Sequence, residues 1–534
     1  MVEYSRRLRH RRDFLWLGLL TMALVYADFF VMRYNGLWME NDTSVFTMQA
    51  TRFLHHASLF FPHLYNHGYA YTAWLGGVAM LSGISPLRLN TLVMPFLGMV
   101  LLVMTGYLLF TALLESQLMG VLGGLVLMTI PNIAFAALRG THEKLSLAFV
   151  ALGLYFLLKG LTAFTHRQSW WLWLALALLM QFLNVSTNDY FATTFTFALT
   201  LTWGFGFMTW KAKPVRTVPE LGPALKIVGL VVAASWLIVL WVMFRVYSPE
   251  AQDLLLLKGA VNKLLHLFDT LHPGSNPYVA ASSTWASQVA YALMSFFIWF
   301  VVVMSALMWC VDLYHLLVTR TLLTIPRLFL LGMYAAFAAL VVLSIPLDFS
   351  GLAAGSNLEV RNFTYVILFG TPLVARALVR SIHGQWRWSP KTPHKRRMAE
   401  RLLVGLMCLI LAIGFLKVTL DPLVSNTWLY YTPGEAEAVQ FFWTHNRYQT
   451  LWTGPDNRLT NYANAVFWNN PGHNAVLGYT PPDGTEDYLQ SRTVVFSCLA
   501  QDYPLPPYGQ FNRVYDNGGA AIYQKPASTP FMIP

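Results

Sequence analysis

The chain has 534 residues, of which 56% are hydrophobic and only 11% are charged. Apolar runs of about 20 residues recur along it, a length that crosses a hydrocarbon core of roughly 30 Å as an α-helix. The runs are continuous and do not alternate apolar with polar positions, so they predict an all-α polytopic membrane protein and exclude a β-barrel. The formal net charge of +11 comes mostly from short loops between the runs, which is typical of cytoplasmic loops and excludes a nucleic-acid partner.

The first span is predicted at 14–33. It follows a basic segment that begins at Arg6, and it continues without a small-residue cleavage site. We therefore interpret it as an uncleaved span whose N-terminus is cytoplasmic. Further spans, giving about eleven in all, are expected at 89–113, 118–138, 145–161, 170–187, 190–210, 224–246, 289–318, 327–346, 361–380 and 402–420.

The short, glycine-rich run 69–84 decides the orientation of every later span. If it crosses the membrane, the basic loops, including the segment 380–401, face outward against the positive-inside rule; if it does not, they face the cytoplasm. We therefore predict that 69–84 forms a re-entrant or surface-lying helix. The loops that then share the outer face are 34–70, 139–144, 188–190, 247–288 and 347–361.

A change in composition divides the chain into a membrane domain, 1–420, and a C-terminal domain, 421–534. The second region is polar and rich in Asn, Pro, Gly and Tyr, with strand-like runs at 493–499 and 520–524. Its length, on the order of 110 residues, is sufficient for a core of its own. We expect a small α/β unit on the outer face.

The polar segment after the first span concentrates charge in an otherwise apolar chain. Asp42 follows Glu40, and apolar residues then recur at helical spacing through Leu54, so an amphipathic helix with Asp42 as its N-cap is expected. A carboxylate at the membrane surface is well placed to deprotonate an acceptor while a lipid-linked donor lies in the bilayer. Helix capping alone is the alternative explanation of Asp42.

Three consecutive features resemble one class of enzymes. The pattern D-x-x-x-F-x-x-x-A-x-x-x-L begins at Asp42, the segment P-x-x-Y-N-H-G-Y begins at Pro62, and a short apolar helix ends near Gly83. Together they resemble the GT-C class of integral-membrane glycosyltransferases, above all its protein mannosyltransferase and aminoarabinose transferase branch. The likeness covers about residues 10–165 and implies juxtamembrane helices in the first outer loop, in keeping with a helix at 69–84 that does not cross.

The resemblance also implies a reaction. An inverting transferase of this class moves a sugar from a polyprenyl phosphate to a protein, lipid or glycan acceptor on the outer face of the cytoplasmic membrane, with the prenyl tail among membrane lipids. Asp42 would be the general base and Glu40 its backup or orienting group. Related oligosaccharyltransferases use a metal and the protein mannosyltransferase type does not, so a divalent ion at Asp42 or Glu40 stays open.

The second outer loop, RGTHEKL, begins at Arg139. The class carries an acidic residue at the head of the next span, a position that Glu143 fills here where Asp is more usual. Arg139 and Lys144 are candidates for binding the donor phosphate, since fixed cations suit a phosphate, and His142 is a candidate for positioning the acceptor or the base. The alternative is an ordinary loop in which Glu143 pairs with Arg139 or Lys144.

Other candidate substrate-binding residues lie on the predicted outer face. His63 and His67 have the i,i+4 spacing of a helical metal pair, but the neighbouring residues favour a turn, so structural or substrate-contacting histidines are the preferred interpretation. Arg361 lies at the mouth of a span, where a cation is costly unless it binds an anion or pairs with an acid such as Glu359. The set is completed by Arg52 and Asp189.

Two other functions stay open. A lipid or solute transporter would carry ionisable residues near mid-membrane and broken helices in paired halves, whereas these spans are nearly free of charge. A catalytically silent GT-C-like protein that binds lipid or serves as an assembly subunit is compatible with the departure from the class at Glu143.

Overall fold

A computed structural model describes most of the predicted membrane domain and part of the C-terminal region. In the membrane domain it describes residues 2–37, 41–56, 68–212, 215–246, 285–349 and 358–382, together with isolated positions from 392 to 412. In the C-terminal region it describes residues 432–445, 450–453, 457–467, 474–476, 487–491 and 512–524.

Helices make up the membrane region that the structure describes. They are α1 (Val2–Tyr34), α2 (Asn41–His56), α3 (Ala70–Ser82), α4 (Pro86–Leu114), α5 (Gln117–Met128), α6 (Pro131–Leu138), α7 (Glu143–Thr165), α8 (Trp171–Thr187), α9 (Asp189–Ala212), α10 (Leu221–Arg245), α11 (Trp285–Leu317), α12 (Ile325–Phe349) and α13 (Leu358–Ile382). One π-helical turn, Leu89–Val93, lies near the start of α4.

Eight helices are long and apolar enough to cross a membrane, namely α1, α4, α7, α9, α10, α11, α12 and α13. The bent pair of α5 and α6 raises the number to nine if it counts as one span, and α8 is a shorter apolar helix of 17 residues. The chain is therefore a multi-pass helical membrane protein, as predicted. The span predicted at 402–420 lies largely outside the described residues, so the expected total of about eleven stays a prediction.

The span predicted at 118–138 is not a single helix. The structure has two helices there, α5 and α6, which meet at an angle of 81°. Pro131 explains the break, because it has no N–H to donate and its ring disfavours a helical conformation in the residue before it. Ile130 is accordingly extended (φ −91°, ψ 111°), and α6 ends with Arg139 extended as well (φ −70°, ψ 152°).

One end of the helix bundle carries α2 and α3, and we call it the α2 end. The 13 residues of α3 form a helix about 20 Å long, which is too short for a hydrocarbon core of roughly 30 Å. This length agrees with the prediction that 69–84 does not cross. The first turns of α7, α9 and α13 lie at the same end, as the contacts of the candidate site show.

The bundle buries a stack of aromatic rings inside and exposes large hydrophobic side chains outside. Phe337 stacks on Tyr365 and on Phe369, with ring centroids 4.8 and 5.6 Å apart. Leu230 and Met208 are more than two thirds exposed (72% and 71%). Exposed leucine and methionine suit a helix surface whose solvent is lipid, because hydrocarbon solvates them as well as a protein core does.

The described C-terminal residues form a five-stranded mixed sheet and two helices, α14 (Pro433–His445) and α15 (Asn457–Val466). The strands are β1 (Thr450–Trp452), β2 (Asn474–Val476), β3 (Asp487–Ser491), β4 (Asn512–Asp516) and β5 (Ala520–Gln524), in the order β2-β1-β3-β5-β4. Strand β1 is parallel to β2 and β3, and β5 is antiparallel to β3 and β4. Strand β5 coincides with the run predicted at 520–524, whereas 493–499 lies outside the described residues.

This C-terminal unit packs on the α2 end of the bundle. Its buried core includes Phe442, Leu451 and Ile522, and Leu37 and Leu87 of the membrane region pack against that core. Helix α15 lies against α2. The unit therefore covers the helix that carries Asp42.

Candidate active site at the α2 end

Asp42 lies in the first turn of α2, which begins at Asn41, and not at the N-cap position predicted for it. Its side chain is 53% exposed, and its Oδ2 lies 3.6 Å from Nη1 of Arg139. A carboxylate in a first turn is favoured by the helix dipole. Most of the Asp42 carboxylate nevertheless remains available to a molecule outside the protein.

Arg139 joins the two loops that the sequence singles out. Nη1 of Arg139 faces Asp42, and Nη2 of Arg139 lies 2.5 Å from Oε2 of Glu143. The side chains of Arg139 and Glu143 are only 13% and 17% exposed. The planar guanidinium can serve two carboxylates at once because its donors point in fixed directions. The structure thus brings Asp42, Arg139 and Glu143 into one cluster. We call the two acidic residues of this cluster, Asp42 and Glu143, the carboxylate pair.

Asn90, which sequence reasoning missed, holds this cluster together. Its Nδ2 lies 3.3 Å from the Thr43 carbonyl, 2.8 Å from Thr47 Oγ1 and 3.0 Å from the Gly140 carbonyl. Its Oδ1 accepts a hydrogen bond of 2.5 Å from the Tyr71 hydroxyl. One buried amide therefore connects α2, α3 and the loop between α6 and α7. A lone amide within the apolar run 89–113 was the available signal, since polar groups in spans are costly and usually functional.

Two glycines permit the close approaches that the site needs. A Cβ at Gly140 would collide with the side chain of Asn90, and one at Gly68 would collide with the carbonyl of Thr187. Next to Gly68, the backbone N–H of Tyr69 donates to the Ser186 carbonyl at 3.0 Å. The end of the P-x-x-Y-N-H-G-Y segment is therefore attached to the end of α8.

His142 is buried beside the carboxylate pair and hydrogen bonds to the start of α9. Its Nε2 lies 2.8 Å from Nδ2 of Asn188, and its ring packs edge-on against Phe46 at 4.8 Å between centroids. The Asn188 side chain also accepts from the Phe191 N–H at 3.0 Å, which caps α9. His142, the residue that precedes Glu143, is thus held between α2 and α9.

Arg361 of α13 faces the same region. Its guanidinium carbon lies 5.8 Å from the Tyr190 ring centroid and 5.9 Å from that of Phe191, and it lies within the electrostatic reach of Glu143. Among the described residues no carboxylate lies within ion-pair distance of Arg361. The alternative, an ion pair with Glu359, involves a side chain outside the described residues.

The remaining predicted residues are dispersed. The Lys144 side chain is buried, and its ammonium group donates to the Met94 carbonyl at 3.3 Å, directed toward α4. Arg52 is half-buried on α2, where burial lowers the pKa of its guanidinium. Asp189 is buried and accepts from the Tyr190 N–H at 2.7 Å. Their substrate contacts stay predictions, and three further residues, Glu40, His63 and His67, lie outside the described residues.

The described residues do not make a metal site at the α2 end. No group of three or more His, Cys, Asp or Glu side chains in the part of the chain that the structure describes is arranged to hold an ion. The guanidinium of Arg139 lies between the carboxylates of Asp42 and Glu143, where it already offsets their charge. We therefore derive no step through a metal.

We expect the replacement of Asn90 by Ala to lower the free energy of unfolding by about 2–4 kcal/mol, because it leaves several buried polar groups without their partner. Tyr71→Phe is the matched control, since it removes one of these hydrogen bonds, keeps the ring against Phe46 and should cost only about 1 kcal/mol. Thermal unfolding of the purified protein measures both. Equal losses in the two variants would contradict the central position of Asn90.

Comparisons with known proteins identify the fold. No protein-family model and no curated protein sequence matches the chain. Among solved structures, the oligosaccharyltransferase of Archaeoglobus fulgidus in the apo form matches with a TM-score of 0.56 at 12% identity, over 87% of this chain and 64% of that one. The archaeal oligosaccharyltransferase AglB from Archaeoglobus fulgidus, in complex with an inhibitory peptide and a dolichol-phosphate, gives 0.55 at 13% identity, over 86% of this chain and 64% of that one.

ArnT from Cupriavidus metallidurans in the apo state matches over nearly the full length of both chains, with a TM-score of 0.53 at 11% identity and coverage of 95% and 97%. These neighbours are GT-C glycosyltransferases. The resemblance inferred from the first loop is thereby confirmed at the level of the fold. The chain spans about two thirds (64%) of the archaeal oligosaccharyltransferase, whose additional length it does not match.

Proposed function

We propose that this chain, which has the fold of the GT-C glycosyltransferases, is a membrane glycosyltransferase that uses a polyprenyl-phosphate sugar. The observation that carries the proposal is the ion-paired cluster of Asp42, Arg139 and Glu143. It joins an exposed carboxylate of the first loop to an acidic residue of the second, and these are the two acidic positions that the class resemblance implies. A dolichol-phosphate bound to AglB supports a lipid-phosphate donor for a protein of this fold.

In the proposed reaction, Asp42 is the general base. An acceptor hydroxyl or amide attacks the anomeric carbon of the sugar, and its proton passes to the Asp42 carboxylate as the new glycosidic bond forms. The bond between the anomeric carbon and the phosphate oxygen breaks on the opposite face, and polyprenyl phosphate leaves with the electron pair. Attack from the opposite face inverts the anomeric centre. Because more than half of its side chain is exposed, Asp42 is accessible to an acceptor from outside the bundle.

Positive charge at the site would stabilise the departing phosphate. Arg361 is a candidate because it lies near the cluster, packs against two aromatic rings and has no ion-pair partner among the described residues. Preorganised cations at a site of developing negative charge contribute several kcal/mol to catalysis. Arg139 has a different task in this scheme, since its guanidinium orients Asp42 and compensates the charge of Glu143.

The C-terminal unit would contribute to acceptor binding. It rests on α2 next to the exposed carboxylate, so an acceptor that reaches Asp42 passes close to it. The positive-inside pattern of the sequence supports the assignment of this end of the bundle to the outer face of the cytoplasmic membrane. The acceptor then is a protein, lipid or glycan of the cell envelope.

The experiment that tests the proposal is an assay for release of polyprenyl phosphate. Purified protein in nanodiscs is offered a panel of polyprenyl-phosphate sugars together with an envelope extract as the source of acceptors. Release that requires both donor and extract supports a transferase. Binding of the lipid without release under any of these conditions supports the silent lipid-binding protein, and movement of the lipid between leaflets without cleavage supports the transporter.

A further inference from the structure

A second charged cluster lies at the end of the bundle opposite the α2 end, where α11 and α13 finish and α12 begins. Asp312 of α11 is fully buried and ion-pairs with Arg376 of α13. Nη1 of Arg380 and Nη2 of Arg327 lie 3.7 and 3.9 Å from Oδ1 of the same carboxylate. Three guanidinium groups therefore share one carboxylate, which leaves a surplus of positive charge. We call this group the basic cluster.

The other described residues supply little negative charge to offset that surplus. Among the described residues, Asp312 is the only acid within ion-pair distance of the three arginines. In the described connecting segments at this end the acidic residues are Glu115 and Glu220, against the basic residues Arg167, Arg216 and Arg320. Within the described residues the positive charge of the basic cluster is therefore only partly offset.

The arginines also retain donor groups for an anion. Arg327 donates to Thr321 Oγ1 at 2.9 Å and to the Asp312 carbonyl at 3.3 Å. Its Nε and the Nε of Arg376 are buried without a hydrogen bond in the described structure, and the two carboxylate oxygens of Asp312 make ion pairs but no hydrogen bond there. Arg380 has a side chain that is 31% exposed, and it makes no hydrogen bond to any described residue. The Arg380 guanidinium, which is partly exposed, is therefore the donor that an oxygen-rich ligand from outside would reach.

The surroundings of the basic cluster are apolar and exposed. Leu317, Val318 and Leu322, which lie at the end of α11 and in the turn before α12, are 49%, 61% and 43% exposed. The Leu322 carbonyl accepts a hydrogen bond from Arg327 at 3.4 Å. A ligand at this position would meet cationic donors beside an apolar surface at the end of the membrane-spanning helices.

We infer that the basic cluster binds a phosphate-type anion, and that its source is the headgroup of an anionic phospholipid in the leaflet at this end of the bundle. Guanidinium groups match phosphate oxygens geometrically, and basic pockets between transmembrane helices bind acidic headgroups. Asp312 holds the three arginines close together without neutralising them. This site is separate from the carboxylate pair and does not depend on the proposed transfer reaction.

The test measures thermal unfolding of the full chain in a neutral detergent after removal of native lipid. Three probes are titrated: short-chain phosphatidylglycerol, short-chain phosphatidylcholine and inorganic phosphate. For the wild type, phosphatidylglycerol should raise the unfolding temperature saturably and phosphatidylcholine should not. In Arg380→Gln the concentration needed for half the effect should rise roughly tenfold, because a charge-assisted hydrogen bond is lost.

Arg167→Gln is the matched control. Arg167 is exposed at the same end of the bundle, and its replacement removes the same charge outside the cluster, so the titration should match that of the wild type. Arg380→Lys keeps the charge and should weaken binding less than Arg380→Gln, which provides a readout if the Gln variant folds poorly. If inorganic phosphate reproduces the stabilisation, the site takes a free anion as the source. Equal responses of the wild type and both Arg380 variants, or no response to any anion, would overturn the inference.

Discussion

Replacing Asp42 by Asn should lower the rate of sugar transfer by about 10²–10⁴-fold, the range that a positioned general base contributes. Asn has nearly the same shape as Asp but cannot accept a proton from the acceptor. The side chain is largely exposed and its contact with Arg139 is long, so the fold should be unaffected. The turnover number at saturating donor, followed by release of polyprenyl phosphate in nanodiscs, measures the effect.

Asp28→Asn is the matched control for this variant. Asp28 is exposed on α1 and undergoes the same chemical change, so its variant should release polyprenyl phosphate at the wild-type rate. Both variants should unfold at the wild-type temperature. If Asp42→Asn retained full activity, Asp42 would not be the base, and Glu143 and Glu40 would be the carboxylates to replace next.

The second large effect is expected at Arg139. Its replacement by Gln should reduce turnover by about 10²–10³-fold, comparable to the loss of one preorganised group in an active site. Glu143 is mostly buried and would lose its short ion pair, so the free energy of unfolding should fall by about 1–3 kcal/mol. The activity assay and thermal unfolding together report the two consequences.

The double variant Arg139→Gln with Glu143→Gln separates catalysis from stability. It removes the uncompensated buried charge, so most of the lost stability should return, whereas activity should stay low because nothing orients Asp42. Arg139→Lys should retain more stability than Arg139→Gln, yet less activity than the wild type, because an ammonium group cannot serve two carboxylates with a planar fork. Recovery of full activity in the double variant would show that Arg139 serves only to compensate Glu143.

The placement of helices was largely predictable, and its exceptions have local causes. Runs of about 20 apolar residues have few alternatives to a spanning helix, and the loop charges predicted that 69–84 does not cross, in agreement with the 13 residues of α3. The break within 118–138 was missed because hydropathy is insensitive to it. Its signal was Pro131, whose effect on Ile130 is a matter of backbone sterics.

The candidate site was only partly accessible from sequence. The sequence identified each of Asp42, Arg139 and Glu143. An ion pair between Glu143 and Arg139 was one of the alternatives considered, but the pairing of Arg139 with both carboxylates was not predicted. Asn90 was missed altogether, because an amide in an apolar run does not reveal which four groups it will meet. Lys144 was grouped with Arg139 as a phosphate ligand, whereas its side chain is directed to the Met94 carbonyl.

The sequence by itself determined the class of protein, the approximate spans, the polar loops and the carboxylates worth testing, because hydrophobicity, charge and turn chemistry are local properties of a chain. Only the tertiary structure decided which of these residues meet. The contact of Arg139 with Asp42 and the sharing of Asp312 among three arginines join residues that are distant in sequence. Such contacts depend on helix angles and bends, which side-chain packing over the whole bundle sets.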